Sequence, residues 1–108
     1  MKVYDTRALA GGAVSAKTDR PATALVHETN DARVVVFRLE PGQSVPTHAS
    51  ASTVLLSVIA GSGVVTGAEG ERAVKAGDLV AYAEHEPHGM RAEREQFILV
   101  AVIAPRPR

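Results

Sequence analysis

The 108 residues contain no cysteine and no tryptophan. Without cysteine there is no disulfide, no thiolate metal ligand and no thiol nucleophile. Only two Phe and two Tyr are present, too few for a platform on which nucleic-acid bases stack. An excess of one charge is missing as well: 12 basic and 12 acidic side chains cancel when histidine is neutral. A balanced chain offers no electrostatic footprint for nucleic acid or an anionic membrane surface. No apolar run approaches the length of a membrane span. Asp5 and Arg7 interrupt the Met-Lys start before the apolar core of a signal peptide forms. The expectation is a soluble, cytoplasmic protein with neither nucleic acid nor membrane as partner.

Helical periodicity is also absent, since no segment sustains it over three turns. What the chain has instead is short β-rich segments between Gly and Pro turns. Strands are expected at 22–26, 33–39, 54–60, 64–66, 72–74, 79–83 and 97–103. The run from Val45 to Ala60 is too long for one straight strand, and four small residues, Ser50 to Thr53, mark a break. Gly61-Ser62-Gly63 is expected to turn the chain, and Gly67-Ala68-Glu69-Gly70 to close a hairpin. Such spacing predicts an all-β sandwich or barrel, and 108 residues predict one domain over 21–108. Residues 1–20 show no period. Val3 and Tyr4 offer a short edge strand, and Gly11 and Gly12 break any helix there. This segment is expected to be an arm lying over the barrel or a partner, or a partly disordered terminus.

The segments VLLSVIA and FILVAVI are apolar on both faces. An antiparallel strand with one wet face alternates instead, so something must cover their outer side. The arm, a second sheet or a second copy would serve, and a homodimer is the favoured expectation.

Two stretches carry the chemistry. Pro41 to Gly63 holds a Pro-Gly turn, His48 and the long apolar run; Gly77 to His88 repeats turn, strand and histidine. In the first, Gly42 is followed by five residues and then His48, and Gly61 closes the stretch. In the second, Gly77 opens and His88 ends it. This frame resembles the two motifs of the cupin family, G-x5-H-x-H-x3-E-x6-G and G-x5-P-x-G-x2-H, over roughly the middle half of the chain. The resemblance implies an all-β, cupin-like double-stranded β-helix, or jelly-roll barrel, with a small-molecule site inside.

The departures bear on the site. Ser50 stands at the motif's second histidine and Val54 at its glutamate; Ala83 and His85 replace the proline and glycine of the second motif. Two of the four residues with which cupins usually hold a divalent metal therefore remain. Catalytic sites usually need three protein ligands, and a hydroxyl and a valine do not supply the third. By strand parity Val54, Leu56 and Val58 point the same way as His48, which predicts an apolar pocket with two imidazoles.

Ligand-binding candidates are accordingly His48, Ser50, Val54, Leu56 and His88, and the candidate metal ligands are His48 and His88. The cofactor is one divalent transition metal (Fe, Mn, Ni or Zn) or none. His85 reads as a solvated loop residue, or as a replacement ligand if its loop folds inward; His27 reads as surface. Glu84 and Glu86 share a loop rather than opposing each other across a substrate. Glu93-Arg94-Glu95 reads as a solvated turn, and Ser57 lacks a nucleophile elbow. Three functions follow: a binding module for a small, mostly apolar ligand; a metal-dependent dioxygenase, isomerase or decarboxylase in which Thr47, Ser50 or Thr53 orients substrate; or a scaffold.

Overall fold

The computed structural model describes residues 1–107. One short helix and eight strands follow in order: α1 (Thr6–Gly11), β1 (Ala22–Glu28), β2 (Arg33–Leu39), β3 (Ser44–His48), β4 (Thr53–Gly67), β5 (Gly70–Lys75), β6 (Leu79–Tyr82), β7 (His88–Arg91) and β8 (Phe97–Ala104). All strand pairs are antiparallel. The long strand β4 belongs to two layers. Its first half lies between β6 and β8, with β2 and β1 beyond β8. Its second half lies between β5 and β7, with β3 beyond β7. The result is a curled jelly-roll, a double-stranded β-helix whose layers share β4.

The bend in β4 corrects one expectation. Gly61-Ser62-Gly63 does not reverse the chain; β4 continues through it. The ladder to β8 slips between Val58 and Ala60, and Gly61 follows with φ +72°. A Cβ on Gly61 would sit 1.8 Å from the Gln96 carbonyl oxygen, and one on Gly63 would sit 2.3 Å from the Phe97 ring. The glycines serve a bulge and a close approach, the other two uses of Gly within a strand.

The amino-terminal arm corrects another. Gly11 and Gly12 end a helix rather than prevent one, and Val3 and Tyr4 form no strand. The Asp5 carboxylate caps α1 by accepting from Ala8 N–H at 3.0 Å. The Gly12 N–H closes the other end on Ala8 O. A helix this short is held by packing rather than propensity. Ala10 is fully buried against Val36 and Ile98 on the outer side of the β1–β2–β8–β4 layer. Arg38 reaches from β2 to donate to the Ala10 and Gly11 carbonyls at the end of the helix.

The principal core lies between the layers, around Leu39, Val58, Phe97 and Leu99, none more than 2% exposed. β3 stops at His48 and β4 starts at Thr53, so the break falls where the small residues predict it. Gly67 pairs with Gly70 across the expected hairpin.

Candidate functional site

β3 and β7 place the two motif histidines together. Their ladder pairs Ser44 with Arg91 and Val45 with Met90, slips once, and then sets His48 opposite His88. Gly89 makes this closeness possible: a Cβ there would meet Thr47 atoms at 3.0 to 3.1 Å. The two rings meet edge to face, centroids 4.3 Å apart, and their Nε2 atoms are separated by 3.1 Å. The other ring nitrogens are anchored on backbone: His48 Nδ1 lies 3.0 Å from Pro46 O, and His88 Nδ1 lies 2.9 Å from Glu86 O. A carbonyl only accepts, so each Nδ1 carries a hydrogen and donates, and Nε2 is the nitrogen that each ring turns toward the other. His88 is 8% exposed, whereas His48 stands at the exposed end of β3. The pair therefore spans from wall to rim.

The imidazoles border a cavity of about 290 Å³ whose other walls are largely apolar, with Phe37, Val54, Leu56, Met90 and Ile103 prominent. Among the described residues, no Asp, Glu, Lys or Arg lines it. Ser50 lies in the wall; its hydroxyl accepts from Ser52 N–H at 3.4 Å, and its carbonyl accepts from His85 N–H at 2.7 Å. Behind His88 stands Tyr82, ring centroids 5.3 Å apart. The Tyr82 hydroxyl donates to Thr66 O at 2.8 Å. Burial, with the nearby Glu86 carboxylate second, pushes its phenol up to about 12.

All five ligand-binding candidates, His48, Ser50, Val54, Leu56 and His88, border this one cavity. Val58 is buried on the same side yet forms no part of the wall. His85 is exposed on its loop and outside the cavity, so it replaces no ligand. Its φ of +66° is the left-handed conformation, at the very position where the family motif carries glycine. His27 also lies apart: half-buried, it bonds through Nδ1 to the Tyr4 hydroxyl at 2.8 Å. Glu86 braces the turn before His88, accepting from Ala83 and Ala68 N–H groups.

Sequence reasoning passed over Phe37, Val45, Met90 and Ala101, whose apolar character marks core as readily as cavity. It also passed over Pro107, which reads as a mere strand stop. The segment after β8 runs beside the cavity. The Ser52 hydroxyl donates to Pro105 O at 2.6 Å, Arg106 pairs with Glu28 at 3.5 Å, and Pro107 joins the cavity wall. Ser52 is only 5% exposed.

A metal centre of the type the motifs suggest is not assembled from these side chains. Among the described residues, no group of three or more His, Asp or Glu is placed to hold an ion. Two imidazoles are present, and the positions of the other two donors are filled by Ser50 and Val54. The donor set falls short of the three protein ligands of a catalytic site.

A jelly-roll with paired motif histidines on adjacent strands defines a small single-barrel protein of the double-stranded β-helix class. The Cupin domain model matches residues 35–103, and the chain belongs to the cupin family. It is similar to TT1209 from Thermus thermophilus, with 26% identity, a TM-score of 0.87, and 99% of this chain and 100% of that one covered. It also resembles an uncharacterized conserved protein with a double-stranded beta-helix domain from Klebsiella pneumoniae, at 29% identity, TM-score 0.84, covering 97% of this chain and 90% of that one. A predicted oxalate decarboxylase from Thermotoga maritima shares the fold at 20% identity and TM-score 0.74, over 80% of this chain and 81% of that one. No curated protein matches the sequence.

Proposed function

We propose that this cupin is a small-molecule-binding protein. Its ligand is mostly apolar, with one polar end that meets His48 and His88. The observation that carries this reading is the pair of Nε2 atoms, 3.1 Å apart, at the edge of an otherwise apolar cavity of about 290 Å³. Such a cavity suits a small organic molecule, and a few convergent polar groups in an apolar pocket are the usual mark of a ligand site. His48→Ala and His88→Ala each weaken binding of any ligand found by thermal-shift screening. Unchanged affinity in both variants would leave only a scaffold role.

The second reading is an enzyme using Fe, Mn, Ni or Zn. One feature favours it: both Nδ1 atoms are fixed by backbone carbonyls, the outer support that metal-bound histidines commonly have. The short donor set weighs against it. Elemental analysis after metal reconstitution decides: about one equivalent per chain supports the enzyme, and a background level removes it. We also propose that a second copy of this chain covers the half-buried apolar residues Leu55 and Val102 on the outer side of the larger layer. Light scattering at micromolar concentration reads a dimer if so; a single-chain mass refutes it.

A further inference from the structure

We propose that residues 105–107 form a strap across the mouth of the cavity, and that its release sets the rate at which a ligand enters and leaves. This rests on the small-molecule reading above and goes beyond it by naming the gate. Exposure locates the mouth. Of the residues bordering the cavity, His48 and Pro107 are exposed, and the rest are buried or half-buried. A ligand therefore passes between the end of β3 and the segment after β8.

That segment is pinned at both flanks. The larger layer runs in the order β1, β2, β8, β4. On the β4 side, Pro105 O accepts from the Ser52 hydroxyl at 2.6 Å. On the β1 side, Arg106 Nη1 lies 3.5 Å from Glu28 Oε2, at the end of that strand. The strap thus runs past the ends of β8 and β2 and brings Pro107 to the cavity wall. The Arg106 pin releases readily. Its ion pair is partly exposed, and such pairs hold loosely. Glu28 also holds Arg33, so it keeps a cationic partner when Arg106 departs. Arg106 Nε is buried with no hydrogen-bond partner among the described residues, and an N–H so placed gains a bond once water reaches it. Ser52, only 5% exposed, is the firmer pin. It joins the strap to the β3–β4 connection, where its N–H donates to the hydroxyl of Ser50 in the cavity wall. Opening of such a segment, rather than the encounter itself, commonly limits exchange.

The test reads opening both without a ligand and with one. The chain has no cysteine, so Ser52→Cys supplies a single thiol beneath the strap, and its labelling by iodoacetamide reports exposure. Adding Arg106→Gln, which leaves the Glu28–Arg33 pair in place, speeds labelling roughly fivefold, the loss of one partly exposed ion pair. An unchanged rate overturns the strap, as does a rise that only follows a lowered urea midpoint. With para-fluorotoluene as an apolar probe, fluorine NMR exchange spectroscopy reads entry and exit. Ser52→Ala raises both rates roughly tenfold, as the loss of one buried hydrogen bond predicts, with little change in affinity. Arg106→Gln alone shifts them the same way by a smaller factor, and circular dichroism checks both folds. Rates equal to those of the parent chain in both variants overturn the gate and leave the pocket standing. No bound signal in any of these chains removes the pocket reading and this inference with it.

Discussion

Along β4 and β8, alternate residues point to opposite sides of one layer, and both sides are apolar. Val54, Leu56, Leu99 and Ala101 face inward and are buried. Leu55, Ile59, Val100 and Val102 face outward and are half-buried. The inward side is opposed by a second layer, and where β3 and β7 bring in two histidines the space between stays open as a cavity. On the outward side α1 packs over Ile59 and Val100, and Leu55 and Val102 lie outside that cluster. Apolarity marks a strand as covered. Whether the cover makes a core, a cavity or an interface depends on what lies opposite.

The largest test of this contrast is mechanical. Leu99→Ala empties a fully buried site on the inner side and destabilises the chain by about 2–5 kcal/mol, whereas Val100→Ala on the outer side costs about 1 kcal/mol or less. Urea denaturation of the two variants reads the difference, and equal losses would erase the distinction between the faces. Next comes chemistry on the inner wall. Val54→Glu places a carboxylate beside His48 and His88 and completes a three-donor set. Zinc affinity by calorimetry then rises about tenfold or more, and the metal-free variant unfolds earlier. No gain in zinc affinity would mean that Val54 does not face the pair.

Two smaller effects concern residues around the site. His85→Gly relieves a left-handed backbone conformation on an exposed loop and stabilises by about 1 kcal/mol, with cavity binding unchanged. The last effect is silent at neutral pH. The Tyr82 phenol is raised to about 12 in the fold, chiefly by burial, against about 10 in an unfolded chain. Its contribution to stability is therefore present in full below pH 10 and is lost as pH climbs through about 12. Absorbance titration should show one tyrosine ionising that late; an ordinary midpoint for both would place Tyr82 in water.

Much of this was legible in the sequence because period and punctuation agree. The strands at 33–39 and 97–103 match β2 and β8 closely, since their β-branched runs end at turns. The meeting of His48 and His88 was legible only through the spacing of Gly42, Gly61 and Gly77 around them, a pattern the cupin resemblance made interpretable. The errors share one cause. Gly61 and Gly63 were expected to turn the chain, yet they let β4 pass close to Gln96 and Phe97. Gly11 and Gly12 were expected to forbid a helix, yet they close one that packing on Val36 secures. A glycine advertises conformational freedom, and only the tertiary neighbours decide its use. His85 is the converse case: the strained φ at a position where the family motif carries glycine is invisible until the backbone is traced.

The residues following β8 bear on how the protein is handled. Pro105 is tied to buried Ser52, Arg106 to Glu28, and Pro107 forms part of the cavity wall, all beyond the 35–103 span of the family match. A hexahistidine purification handle joined directly behind them would begin at the pocket's edge and could lend foreign imidazoles to the native pair. Occupancy and affinity are therefore measured with no such handle joined there.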